Sequence, residues 1–185
     1  MYRTLIITIL SFALALPAAA TEAGWALLRN GGQVVLLNHA NAPGATEPAA
    51  FDIESCRTQR NLSERGRQQA RRIGALFAAR AAPVEEIFSS RYCRTRDTAE
   101  LAFGASLVET VDWLDPFDAD GEEADARRQR LIEEIEAYTG SGILVMVTHD
   151  SYVDAVLGTR PREGEAIIVT AHDGALQTVG RIVFN

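Results

Sequence analysis

Hydrophobic and polar positions along the 185-residue chain follow the pattern of alternating strands and helices. Two continuous apolar runs, Val34–Leu37 and Ile143–Val147, are typical of strands that are buried on both faces of a parallel sheet. Further strands are predicted at Glu86–Ser89, Leu107–Thr110, Ala166–Ala171 and Leu176–Phe184. The last two flank Asp173-Gly174, a dipeptide that is typical of hairpin turns.

Between the strands, apolar residues recur at helical spacing. This predicts helices at Glu22–Arg29, Asn61 to about Ala81, Arg94–Phe103, Glu122–Tyr138 and about Ser151 to Leu157. The remaining long stretch, Asn41–Arg60, has no periodicity and is predicted to be a loop. Strands that alternate with helices in a chain of this length predict one α/β domain with a mainly parallel sheet.

The first twenty residues differ from the rest of the chain. Arg3 precedes an apolar run, Thr4–Leu16, and Ala18-Ala19-Ala20 has the small residues of a cleavage site before Thr21. We therefore predict a signal peptide at residues 1–20, a mature domain at residues 21–185, and a periplasmic or secreted protein. The apolar run is short for a membrane span, so no span is expected after cleavage; an uncleaved anchor is the alternative.

Export would affect the two cysteines, Cys56 and Cys93. An oxidising compartment favours a disulfide between them, and the alternative is two separate buried thiols.

Charge and composition exclude several classes of function. The net charge of −7 argues against general binding of nucleic acid or of anionic membranes. All 18 basic residues are arginines, which excludes mechanisms that depend on a lysine Schiff base or a P-loop lysine.

Two of the three histidines follow the two most apolar strands. In a parallel sheet, His39 and His149 would meet at the carboxyl edge, together with Arg94 at the start of a helix. Two imidazoles and a guanidinium near helix N-termini make an anion site, and neutral imidazole is a good nucleophile toward phosphorus. The pattern predicts phosphoryl transfer through a phosphohistidine, without a metal or another cofactor. Two alternatives stay open: structural histidines, or a zinc site completed by Asp150 or Asp115.

Four segments, VVLLNHANAPG, QRNLSERGRQQA, FSSRYCRTRDTA and VMVTHD, resemble the histidine phosphatase superfamily, which has the phosphoglycerate mutase-like fold. The resemblance extends over Val34–Phe184 and is greatest to small exported phosphatases. It implies a three-layer α/β/α architecture and a phosphoric monoester hydrolase that needs no metal.

The resemblance also implies roles for individual residues. His39 would be the nucleophile, Arg94 of the R-x-x-x-T-A motif would bind phosphate, and His149 would hold the phosphoryl oxygens in the transition state. The proton donor would be a carboxylate after that motif, for which we favour Asp115, with Asp112 as the other candidate.

Asn38 departs from the family pattern, which has arginine before the nucleophile. A hydrogen bond from a charged donor contributes about 1.5–3 kcal/mol, against about 1 kcal/mol for a neutral one. Either another arginine replaces the missing one, or the protein is slow or inactive as a phosphatase. The candidates are Arg57, Arg60, Arg91 and Arg96. We favour Arg60 and Arg91 as substrate-binding residues because they lie in loops that flank the site.

The leading expectation is an exported phosphatase that acts on a phosphorylated small molecule or an envelope glycan. The alternative is a catalytically impaired relative that binds a phosphorylated ligand or an envelope partner.

Overall fold

The computed structural model of the protein describes residues 16–184. Most of the predicted signal peptide, residues 1–15, therefore lies outside the described residues. Residues 16–20 form the start of a helix that continues past the predicted cleavage position.

Five helices and six strands alternate over most of the described chain. The helices are α1 (Leu16–Arg29), α2 (Glu64–Ala79), α3 (Cys93–Phe103), α4 (Ala124–Ala137) and α5 (Asp150–Leu157). The strands are β1 (Gln33–Asn38), β2 (Val84–Ser90), β3 (Val108–Val111), β4 (Ile143–Thr148), β5 (Ala166–His172) and β6 (Ala175–Ile182). Short 3₁₀ helices occur at Cys56–Thr58, Ala105–Leu107 and Asp112–Leu114. No helix within residues 16–184 has the length and apolarity needed to cross a membrane.

The strands form one mixed sheet in the order β3-β2-β4-β1-β5-β6. The first four are parallel, whereas β5 and β6 are antiparallel to their neighbours. The α/β fold with a mainly parallel sheet is confirmed, and the antiparallel pair at one end makes the sheet mixed. The turn predicted at Asp173-Gly174 is also confirmed: it joins β5 to β6, and both residues have positive φ angles of 51° and 72°.

Helices cover both faces of the sheet, as the three-layer prediction requires. Alternate residues of β1 point to opposite faces, because side chains alternate along a strand. Val35 and Leu37 pack in one core with α1, α2 and α3. Val34 and Leu36 pack in the other core with α4 and α5. Burial on both faces explains why β1 and β4 are continuous apolar runs.

The second helix begins later than the sequence pattern predicted. Ser63 caps α2, because its Oγ accepts a hydrogen bond from the Gly66 N–H at 2.9 Å. Ser63 also donates from its backbone N–H to the Asn41 carbonyl, 3.0 Å away. A Cβ at Gly66 would collide with that same carbonyl, so glycine permits the helix to approach the segment that follows His39.

Candidate active site

Three parallel strands end at one edge of the sheet and bring the predicted residues together. Asn38 at the end of β1 is in register with Thr148 at the end of β4. The next residue on each strand is a histidine, and the rings of His39 and His149 lie 5.6 Å apart in an edge-to-face arrangement. Both histidines and Arg94 are at least 95% buried and line a cavity of about 750 Å³.

His39 is held as a neutral imidazole with an available nitrogen lone pair. Its Nδ1 lies 2.8 Å from the Ala40 carbonyl, which can only accept, so Nδ1 carries the proton and Nε2 carries the lone pair. Burial lowers the pKa of His39 to about 4, and the positive charges of Arg94 and Arg60 act in the same direction. The Nε2 atom is therefore a competent nucleophile at neutral pH.

Arg94 and His149 form one end of a buried chain of hydrogen bonds. Arg94 donates to His149 Nδ1 at 3.1 Å, so His149 Nε2 carries the proton and donates to Ser90 Oγ at 2.9 Å. Ser90 then donates to Asp115 Oδ1 at 2.8 Å. Burial, followed by the nearby positive charge of Arg94, keeps the pKa of His149 well below its usual value. Each donor in this chain has one acceptor, which holds His149 in a single orientation.

Asp115 is not placed as a proton donor. Its Oδ1 also accepts from the Arg91 backbone N–H at 2.9 Å, and its Oδ2 accepts from Arg91 Nε at 2.7 Å. Asp115 is 5% exposed and does not line the cavity, and Asp112 is exposed outside it. Asp115 therefore anchors Ser90 and Arg91. This arrangement also directs Arg91 away from His39.

Arg60 is the arginine that reaches the nucleophile. Its NH2 nitrogen lies 3.3 Å from His39 Nε2, and its NH1 nitrogen donates to the Gly44 carbonyl at 2.9 Å. Of the other candidates, Arg57 is exposed, and Arg96 lies against the cysteines, 3.1 Å from Cys56 Sγ. A guanidinium is thus present beside His39 although residue 38 is asparagine.

The two cysteines form a disulfide that connects two parts of the site. Cys56 precedes Arg60 in the loop after β1, and Cys93 directly precedes Arg94 in α3, with 5.7 Å between the two Cα atoms. Gln59 adds a second connection, because its side-chain oxygen accepts from the Cys93 N–H at 2.9 Å. These links hold the Arg60 loop against the helix that carries Arg94.

Several polar atoms of the site have no partner among the described residues. Asn38 donates from Nδ2 to the Pro161 carbonyl at 3.2 Å, which leaves its buried Oδ1 unpaired. The Nε–H groups of Arg60 and Arg94 are likewise buried and unpaired. Arg60 and Arg94 both line the cavity, and two guanidinium groups in one cavity indicate a site for an anionic ligand.

The cavity also includes residues that the sequence did not single out. They are Glu47, Tyr92, Arg160, Arg162 and Glu163; Asp150, considered above only as a metal ligand, also lines the cavity. Glu47 forms an ion pair with Arg94, with 2.6 Å between Oε1 and NH1. Tyr92 lies against both Arg94 and His149 and directly precedes the α3 helix. Its place beside Arg91, a predicted site residue, is the sequence feature that could have identified it. Glu47 lies within an aperiodic loop, where no spacing marks it. Within residues 16–184, no three or more His, Cys, Asp or Glu residues are grouped as a metal site would require.

Comparison with known families agrees with this geometry. The sequence model described as the histidine phosphatase superfamily (branch 1) matches residues 44–116. The matched segment contains Arg60, Arg91 and Arg94, and it begins after the departure at Asn38 and after His39. No match was found among curated protein sequences.

Solved structures with the same fold include several phosphatases. The protein histidine phosphatase SixA, complexed with tungstate, is 20% identical over 81% of this chain and 96% of SixA, with a TM-score of 0.58. A phosphoserine phosphatase from Entamoeba histolytica is 11% identical over 83% of this chain and 98% of its own, with a TM-score of 0.61. A mycobacterial glucosyl-3-phosphoglycerate phosphatase is 17% identical over 80% of this chain and 97% of its own, with a TM-score of 0.59.

These findings confirm the resemblance to the histidine phosphatase superfamily, and they do not test the resemblance to its small exported members. The chain has the fold of the histidine phosphatase superfamily, and its residues 44–116 carry the sequence pattern of branch 1 of that superfamily.

Proposed function

We propose that the protein is a phosphatase that hydrolyses a phosphomonoester through a phosphohistidine on His39. The observation that supports this most directly is the arrangement around His39 Nε2. A neutral nitrogen lone pair lies 3.3 Å from the Arg60 guanidinium, in a cavity that Arg60 and Arg94 both line. This combination supplies a nucleophile for phosphorus and donors for the oxygens around it.

The reaction would proceed in two displacements. In the first, His39 Nε2 attacks phosphorus while the ester oxygen leaves with a proton from a general acid. Arg60 and Arg94 are the donors that would stabilise the phosphoryl oxygens, and His149 would orient Arg94 by accepting its hydrogen bond. In the second step, water attacks the phosphohistidine, the P–N bond breaks, and His39 recovers its lone pair.

Arg60 would replace the arginine that the family has at position 38. Both arrangements place a guanidinium beside the nucleophile, although they reach it from different elements. Arg60 comes from the loop after β1, and Arg94 NH2 is already bonded to His149. Together, Arg60 and Arg94 would bring two guanidinium groups to a phosphoryl dianion.

We also propose that the protein is exported, through a signal peptide at residues 1–20, to the periplasm or outside the cell. The Cys56–Cys93 disulfide supports this, because disulfides persist in oxidising compartments. Export favours a phosphorylated small molecule or an envelope glycan as substrate. The structural relatives include phosphatases named for phosphoserine and for glucosyl-3-phosphoglycerate, which makes a small phosphorylated substrate reasonable.

One observation favours a second function, the binding of a phosphorylated ligand or envelope partner without turnover. Asn38 places an unpaired carbonyl oxygen where the family has a cation. An acceptor at that position weakens the stabilisation of a phosphoryl group whose negative charge increases in the transition state.

A hydrolysis assay separates the two functions. Wild-type protein, His39→Ala and Asn38→Arg would be compared on p-nitrophenyl phosphate in the presence of a metal chelator. We expect wild-type turnover that survives chelation and is lost in His39→Ala. Absence of turnover in wild type together with turnover in Asn38→Arg would contradict the phosphatase and support the binding protein.

A further inference from the structure

We propose that Glu47 is the proton donor to the leaving group, and then the base that activates water, in the phosphatase reaction proposed above, on which this inference rests. Glu47 lies in the loop between β1 and α2. It is a different residue from the carboxylates after α3 that the family resemblance favoured.

The contacts of Glu47 place its carboxylate beside both arginines of the site. Its Oε1 lies 2.6 Å from Arg94 NH1, and its Oε2 accepts from the Arg60 backbone N–H at 2.8 Å. Its side chain is 22% exposed and lines the cavity. Asp115, by contrast, has a side chain that is 7% exposed and both oxygens bonded outside the cavity. Glu47 is therefore the carboxylate that shares an arginine with the expected phosphoryl group.

The other two carboxylates of the cavity are bonded to groups outside the phosphoryl site. Asp150 pairs with Arg160 at 3.0 Å. Glu163 accepts from Asn41 Nδ2 at 2.6 Å and from the Ala42 N–H at 3.0 Å. Neither contacts Arg60 or Arg94 through its side chain in the described structure. A phosphoryl group bound by the arginines would thus displace Glu47 from its partner and leave the contacts of the other two unchanged.

Charge gives that displacement a chemical consequence. In the free protein, the Glu47 carboxylate lies 2.6 Å from the positively charged guanidinium of Arg94. A phosphoryl dianion bound to Arg94 would bring further negative charge close to the Glu47 carboxylate. Negative charge beside a carboxyl group favours its protonated form. The imidazoles do not compete for this role, since the pKa of His39 is lowered to about 4 and that of His149 is also held well below its usual value. Substrate binding would therefore supply the acid that the first step needs.

In both steps, each bond that forms is matched by a bond that breaks. His39 Nε2 forms a bond to phosphorus as the P–O bond to the leaving group breaks, and the Glu47 carboxyl proton passes to the departing oxygen to give an alcohol. Water next forms a P–O bond as the P–N bond breaks. The Glu47 carboxylate takes a proton from that water, which leaves inorganic phosphate and restores both groups.

Leaving groups of different basicity test this role. The wild-type protein and Glu47→Gln would be assayed on glycerol 2-phosphate, whose alkoxide needs a proton, and on p-nitrophenyl phosphate, whose phenolate does not. We expect kcat/KM of Glu47→Gln to fall about 10²–10³-fold on the alkyl ester and less than about 10-fold on the aryl ester. Glu54→Gln, an exposed glutamate of the same loop, is the matched control and should retain wild-type rates on both esters. The inhibition constant of inorganic phosphate should stay within about threefold of wild type or become tighter, because the neutral amide competes less for Arg94.

Other outcomes would overturn the proposal. An equal loss on both esters would show that Glu47 only positions Arg60 and Arg94. A selective loss on the alkyl ester in Asp150→Asn but not in Glu47→Gln would assign the proton to Asp150. Wild-type protein that hydrolyses neither ester would refute the phosphatase itself and this inference with it. This failure is distinguishable from the others because it is seen with the wild-type protein alone, whereas the others require an active wild type and a variant.

Discussion

The two sides of the cavity are built in different ways. On one side, which we call the turn side, Ser90 is the last residue of β2, Arg94 lies four residues after it, and His149 directly follows β4. On the other, which we call the loop side, Glu47 and Arg60 come from the long segment between β1 and α2. The turn side is a closed chain of buried hydrogen bonds that ends at Asp115. The loop side is held by separate hydrogen bonds of Glu47, Gln59 and Arg60 and by the disulfide.

The difference shows how the chemistry is divided between the two sides. Parallel strands bring their carboxyl ends to one edge, so the turn side is determined by the sheet. The loop side depends on how a segment without regular structure folds over that edge. It nevertheless supplies the cation beside His39 and the carboxylate on Arg94. A change in this loop can therefore alter the reaction without disturbing the fold.

The largest expected effect is the loss of the nucleophile that the two sides share. His39→Ala should lower kcat/KM on p-nitrophenyl phosphate by at least about 10⁴-fold, because the other imidazole of the cavity, that of His149, has both ring nitrogens in hydrogen bonds. His172→Ala is the matched control, since that side chain is 75% exposed on the hairpin. Residual turnover in His39→Ala within about tenfold of wild type would show that the two sides enclose a different nucleophile.

Variants of Arg60 and Arg91 test the difference between the two sides most directly, because the sequence favoured both residues equally as substrate-binding arginines. Arg60→Ala should lower kcat/KM about 10²–10³-fold, the effect of removing one donor to the transition state. Arg91→Ala should lower it less than about 10-fold, because Arg91 bonds to Asp115 and does not line the cavity. Steady-state kinetics on one substrate would measure both.

A second variant checks that Arg60 replaces the family's arginine. Adding Asn38→Arg to Arg60→Ala should recover at least about tenfold of the lost kcat/KM, because it returns a guanidinium to the position before the nucleophile. A greater loss in Arg91→Ala than in Arg60→Ala would reverse the assignment of the two arginines.

The sequence placed the residues at the strand ends well because local rules apply there. Val34–Leu37 and Ile143–Val147 are apolar without alternation, so both were identified as buried strands, and the residues that follow them were placed at the correct edge. The structure brings His39, His149 and Arg94 together as the convergence of parallel strands requires.

The loop side could not be predicted in the same way. Glu47 has no periodic neighbours, and its contact with Arg94 joins residues 47 positions apart, which no local pattern specifies. Asp115 and Arg91 illustrate the same limit, since the sequence does not show that they bond to each other. The antiparallel pairing of β5 with β1 likewise depends on tertiary structure, because local strand propensity does not determine the direction in which two strands pair.

The disulfide should contribute to stability and should matter most for the loop side. Replacing both Cys56 and Cys93 with alanine should lower the free energy of unfolding by about 2–4 kcal/mol, because the bond closes a loop between residues 37 positions apart. Urea denaturation would measure this change. Activity should fall further in the double variant than in a variant that loses similar stability in the opposite core, such as Ile135→Ala on α4. Equal activity in these two variants would show that the bond does not position Arg60.

Acid pH should produce the smallest effect, and it tests the burial of His39. Folding lowers the pKa of this imidazole from 6.5 to about 4, so the unfolded chain takes up a proton before the folded one does as the pH falls. The stability that depends on neutral His39 is therefore present above pH 6.5 and is lost as the pH falls toward 4. Between pH 7 and pH 5, this one group should lower the free energy of unfolding by roughly 2 kcal/mol, and His149 should add to the loss because its pKa is also lowered. Urea denaturation at several pH values should give a smaller dependence in His39→Gln than in wild type, whereas His172→Gln should match wild type. The same slope in His39→Gln as in wild type would mean that His39 is not held neutral by burial, and the lone pair on which the proposed reaction depends would then need another explanation.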